Sequence, residues 1–170
     1  SVLWTTRLTY SAAARQLEVD AQGNAYVLTR TTTSSYLSKI NPSGNHLWLK
    51  FIANVERSDL AMNMQGQPTV VVSQENEYDI YGYNASGTVV SYWGVYHSRG
   101  VVEDIAIDSN NSIYLVGSAS SGDSFLYVLT SSFSHVGTLL WNDGGKVTDV
   151  ALDAQNNILV ISERSIRKLN

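Results

Sequence analysis

"DVALDAQNN" at residues 149–157 nearly repeats "DIAIDSNNS" at residues 104–112, and how far that likeness extends decides the fold. Two further copies stand upstream, "QLEVDAQGN" and "DLAMNMQGQ", so that the four begin at residues 16, 59, 104 and 149. A period of 43 to 45 residues marks a repeat architecture, in which each unit is one supersecondary motif. In every copy apolar residues alternate, Leu17 and Val19, Leu60 and Met62, Ile105 and Ile107, Val150 and Leu152, and then run into Asp, Asn, Gln and Gly. Alternation at period two that ends in turn formers is a strand followed by a hairpin.

A second strand follows each turn: "AYVLT", "PTVVV", "IYLVG" and "ILVIS". Their near-continuous apolarity is that of strands covered on both faces. Pro68 opens its strand and Pro42 falls in a turn, where neither removes a ladder donor. Third strands are expected at 36–40, 78–83, 125–130 and 165–169, and fourth strands lead to Trp48, Trp93 and Trp141. Four antiparallel strands per repeat is the period of a β-propeller blade. The last repeat stops at "SIRKLN", one strand short, while the chain opens on "SVLWTTRL" with Trp4 where the other repeats carry their Trp. The expected fold is therefore all-β: a β-propeller of four blades, at about 14–52, 57–95, 102–141, and 147–170 plus 1–8. The N-terminal strand is expected to close the last blade and leave no free sheet edge.

Turns of the type "DAQGNAYV", followed by "YLSKINPSGNHLW", resemble the bacterial β-propeller repeats related to the NHL and PQQ-like families. Asn63 departs from the pattern where the other turns have Asp. The resemblance implies a propeller scaffold, and because enzymes, assembly scaffolds and adhesion modules share it, no single activity.

The chain of 170 residues is 44% hydrophobic, carries a net charge of −4 from scattered acids and bases, and contains no Cys. Disulfides, thiolate zinc sites and cysteine nucleophiles are thereby excluded, no basic stripe recommends nucleic acid, and no apolar run reaches the length that crosses a membrane. Because the first residue is Ser, a processed product or a segment of a larger polypeptide is expected.

Gln16, Asp59, Asp104 and Asp149 precede the first strand's apolar alternation in each repeat. In a ring they would circle one mouth of the channel and could hold Ca²⁺ or another cation through oxygen; the competing reading is an acid that accepts backbone N–H groups. Glu18 stands where the other repeats have Ala61, Ala106 and Ala151, and an ion pair with Arg7 or Arg15 is expected of it. The turn acids Asp20, Asp108 and Asp153 lack the further acids of a calcium loop. His46, His97 and His135 are too dispersed to share a metal, and no Gly-flanked nucleophile is present.

The loops between blades share a face with those between second and third strands, and they carry Tyr10, Arg57, Tyr96, His97 and Arg99. Loops on a rigid scaffold are the usual place of recognition. The expected function is a non-catalytic binding or adhesion module that takes a protein or carbohydrate there, in an extracytoplasmic or cell-surface setting. A hydrolase or lyase at the same mouth, or a spacer domain of a larger surface protein, is the alternative.

Overall fold

The computed structural model describes residues 2–8, 13–53, 57–74, 77–96, 100–119, 121–142 and 144–170, apart from the side chains of Gln74, Val95 and Tyr96. Four antiparallel sheets follow one another along the chain. The first comprises β1 (Ala13–Val19), β2 (Ala25–Arg30), β3 (Ser35–Ile40) and β4 (His46–Ala53). The second comprises β5 (Arg57–Met62), β6 (Pro68–Gln74), β7 (Glu77–Tyr83) and β8 (Val89–Tyr96). β9 (Gly100–Ile107), β10 (Ile113–Ala119), β11 (Ser124–Leu129) and β12 (His135–Trp141) form the third, and β13 (Val147–Leu152), β14 (Ile158–Ser162) and β15 (Ile166–Leu169) the fourth.

The hairpin that opens each repeat is closed by its polar residues. The side chain of Asp153 accepts the backbone N–H groups of Gln155 and Asn157, each at 2.9 Å, and Asp20, Asn63 and Asp108 do the same two and four residues on. Three residues after each of them the backbone turns to positive φ, at Gly23, Gly66, Asn111 and Asn156, a conformation open to Gly and tolerated by Asn. The acids Asp20, Asp108 and Asp153 are thus engaged in turn geometry.

Packing follows from the second strands. The sheets are apolar on both faces, and each of the two middle ones buries one face on the sheet before it and the other on the sheet after it. Tyr26, Leu28 and Leu37 of the first sheet meet Leu60, Val70 and Val72 of the second. Val71, Tyr78 and Ile80 meet Ile105, Leu115 and Phe125 of the third, and Val116 and Leu126 meet Val147, Val150 and Val160 of the fourth. Trp48, Trp93 and Trp141 flank the three clusters and fill space between the sheets.

The two ends depart from the expected closed ring. Residues 2–8 form no strand, and among the described residues β15 pairs with β14 alone. The N-terminal segment lies on the first sheet: Thr6 Oγ1 donates to the Gly44 carbonyl and the Trp4 ring covers Gly44 so closely that a Cβ there would sit 2.9 Å from it. Leu17 and Ile161, which closure would press together, are 60% and 40% exposed. Among the described residues no sheet covers the outer face of the first sheet or that of the last.

Leu60 is the centre of the junction between the first two sheets, fully enclosed by both. Leu60→Ala is expected to cost about 2–5 kcal/mol, read as a lower urea midpoint with an unchanged slope; a loss under about 0.5 kcal/mol would show that the sheets do not depend on this packing.

Candidate functional site

Two groups of polar side chains line the inner strands. The first contains the predicted carboxylates. A bulge precedes the position in the first, third and fourth sheets and re-aims its side chain. Asp104 accepts the N–H of Ile105 at 2.7 Å and, across the junction, the N–H of Val150 at 2.7 Å. Asp59 bonds likewise to Leu60 and Ile105. The three carboxyls also bond to one another, Asp59 to Asp104 and Asp104 to Asp149. Each carboxyl–carboxyl contact requires a proton on one of its two members. Burial and the Asp59 bond push Asp104 up to about 6; the bond to Asp104, and then burial, does the same to Asp149; burial raises Asp59.

Gln16, the fourth member expected, makes no hydrogen bond to this line among the described residues; it borders an apolar groove with Leu17 and Val19. Among the described residues no three His, Asp or Glu side chains are grouped to hold a metal ion. The Asp line is a stitch between sheets: Asp59 and Asp104 each supply the next sheet's inner strand with an acceptor that a splayed edge cannot find in a ladder. Glu18 forms no ion pair with Arg7 or Arg15 among the described residues, and burial alone raises its carboxyl. His46 reaches the Arg7 carbonyl at 3.3 Å and His135 reaches Thr138 at 2.9 Å, in sheets one and three, so they do not meet.

The second group lies at the loop face between the first two sheets, where Arg15, Arg30, Arg57, Ser58 and Glu103 line a groove of about 450 Å³. The register of the repeats shows what is unusual there. Two residues after Val71 and after Val116 stands a Ser, whose hydroxyl oxygen accepts from the next sheet: the Val102 N–H donates to Ser73 and the Val147 N–H to Ser118, both at 3.1 Å. At the first junction Arg30 stands in the place of that Ser, and the inner strand of the second sheet brings Ser58 and Arg57 to the same end. A cation replaces a neutral acceptor. Arg57 pairs with Glu103, whereas the Nε of Arg30 is buried without a hydrogen-bond partner among the described residues. Ser35 and Ser58, 3.0 Å apart, hold the junction instead.

Of the residues expected at the loop face, Arg57 is in this groove. Tyr10, His97 and Arg99 lie outside the described residues, and Tyr96 ends β8 with its side chain outside them. Arg15 and Arg30 were missed because they sit on strands rather than in loops. The signal that finds them is comparison of the repeats at the strand ends, where Arg30 breaks a Ser position.

No protein-family model matches the chain, and no curated protein matches it in sequence. Solved structures do match in shape. A protein of unknown function from Bacteroides caccae shares 13% identity at a TM-score of 0.68, over 99% of this chain and 60% of that one. The C-terminal WD40 domain of Sif2 shares 15% at 0.67, over 96% and 45%. Regucalcin, a calcium-binding protein from Agrobacterium tumefaciens, shares 14% at 0.59, over 89% and 54%. The fold is that of a β-propeller. At these identities the likeness concerns the fold alone, and the chain spans about half the length of the propellers it matches.

The Asp line carries a pH dependence. Asp104 and Asp149 titrate at about 6 in the folded chain against an ordinary 3.8, so between those values the folded state binds more protons than the unfolded one. Stability is then fullest below about 4 and is lost as pH rises through about 6. The urea midpoint is expected to fall across that window and Asp104→Asn to flatten the fall; a midpoint that rises from pH 4 to pH 7, or a profile unchanged by the variant, contradicts the proton-sharing line.

Proposed function

We propose that the chain is a non-catalytic binding module that recognises an anionic group, a carboxylate on a protein or on an acidic glycan, in the groove of Arg15, Arg30 and Arg57. The Nε of Arg30, buried without a hydrogen-bond partner among the described residues, carries the reading. A buried donor without an acceptor costs about 1–3 kcal/mol. Sister junctions avoid this penalty with Ser73 and Ser118. An incoming carboxylate relieves it: it accepts the planar fork of a guanidinium through two oxygens in a groove whose wall is otherwise supplied by Ser58 and Glu103. Binding is favoured over hydrolysis by what occupies the only carboxyls held near neutrality among the described residues, Asp104 and Asp149: they are engaged with each other and with backbone N–H groups. An NHL or PQQ-like origin of the repeats, and an extracytoplasmic or cell-surface location, belong to the same proposal. A cation on the Asp line is the lesser reading, since the oxygens it needs are already accepting hydrogen bonds.

Arg30→Ser restores the neutral clasp of the sister junctions, and two opposite effects are expected of it. Binding to uronate-bearing glycans or acidic peptides on arrays weakens about tenfold or more, the value of a charge-assisted bond, and the binding that remains falls less steeply with salt. Stability of the unliganded chain rises by about 0.5–1.5 kcal/mol. Equal binding of neutral and acidic sugars, or an affinity indifferent to Arg30→Ser, refutes the proposal; a melting temperature raised by Ca²⁺ and insensitive to acidic ligands supports the lesser reading.

A further inference from the structure

The repeats of this chain are interchangeable in register, which allows the uncovered ends to be read against the covered junctions. On the outgoing face of each sheet, the residue opposite the inner-strand acid and its own partner on the third strand are Leu28 and Leu37, Val71 and Ile80, Val116 and Leu126, and Ile161 and Ile166. The first three pairs are fully buried, whereas Ile161 is 40% and Ile166 71% exposed. On the incoming face, Leu60, Ile105 and Val150 are buried, and Leu17 at the same position is 60% exposed. The last sheet therefore offers the side chains of a junction, and the first sheet offers the complement.

The N-terminal segment agrees with this. Trp48, from the fourth strand of the first sheet, covers Gly87 in the turn of the second, with its ring 3.0 Å from where a Cβ would be, and its Nε1 donates to the Ala85 carbonyl at 3.1 Å. Trp4 covers Gly44, the matching turn residue of the first sheet, in the same way. Residues 2–8 thus occupy the place of a fourth strand that belongs to a sheet before the first. The last sheet is a sheet of three strands, with β15 at its edge. Its missing strand and the stranded segment match.

We propose that two copies of this chain join head to tail, residues 2–8 of each completing the last sheet of the other and Leu17 and Val19 of each packing under Ile161 and Ile166 of the other. The resulting ring has eight four-stranded sheets. The second copy is preferred to other occupants because the faces are continuous with three junctions the chain already makes, and because the apolar groove of about 500 Å³ beside Trp4, Leu17 and Val19 has the lining of those junctions. The polar stitch extends as well: Asp59 and Asp104 accept the N–H of Ile105 and Val150, and Asp149 stands ready to accept that of Leu17 in the partner. The inference is independent of the arginine groove, which lies at the first internal junction.

Light scattering after size exclusion on the chain as it stands is expected to give twice the single-chain mass of 18.7 kDa. Leu17→Glu and Ile166→Glu, both at exposed positions of the single chain, are each expected to give a single-copy mass with unchanged circular dichroism. An equimolar mixture of the two variants regains a two-copy mass, because one intact first face still meets one intact last face; a face that pairs with itself would not recover. A single-copy mass for the unaltered chain overturns the proposal and leaves the two faces to sheets from another polypeptide segment, and a two-copy mass that survives both substitutions, or a mixture that does not recover, overturns it as well.

Discussion

Everything in this fold depends on sheets that are apolar on both faces. A strand such as β6, with Val70, Val71 and Val72 all buried, cannot be half-solvated, and so each of the two middle sheets needs a neighbour on both sides. The burial of such side chains, each worth about 1.5–3 kcal/mol, is what aligns the repeats face to face. Hydrogen bonding then sets the spacing. The turn acids hold each hairpin, and Asp59, Asp104, Ser73 and Ser118 tie the inner edge of one sheet to the backbone of the next. Apolar burial makes the stack, and the stitches determine where along each face it sits.

Much of this was legible in the order of residues. Alternation before "DAQGN" and "DAQNN" and continuous apolarity after them identify the first two strands because burial on one or both faces leaves a direct imprint on composition. The turn acids were legible for the same reason, as only a side-chain acceptor at that place can satisfy two N–H groups of a five-residue turn. The partner of the N-terminal segment was not legible. Trp4 identifies residues 2–8 as fourth-strand in type, yet which sheet they lie against depends on the angle between sheets, and that angle is set by the summed bulk of side chains such as Tyr26, Tyr78 and Phe125. No local pattern encodes it.

The candidate site shows the complementary lesson. Polar residues in loops attract notice, and of those expected here only Arg57 has a described side chain in a groove. Arg30 is concealed within a strand and becomes visible only when the four repeats are compared position by position. In an array whose units repeat one solution, a residue that abandons it at a cost in stability marks the place where something other than folding was selected. The acids of the inner strands teach the reverse: Asp59 and Asp104 repeat because they solve the same structural problem at successive junctions.

Phe133 shows what such substitution permits elsewhere. It holds the turn position of Gly44 and Gly87, with φ of 65°, a backbone state that costs a side-chain-bearing residue about 1–2 kcal/mol. Its phenyl ring is buried in the cluster that Trp93 flanks, where at the first junction the indole of Trp48 lies directly on the bare backbone of Gly87. The second junction is therefore filled by an aromatic ring where the first rests on a flat indole–glycine contact, so shortening Phe133 to glycine would empty part of the core at one junction, whereas any side chain added at Gly87 would collide with the indole at the other.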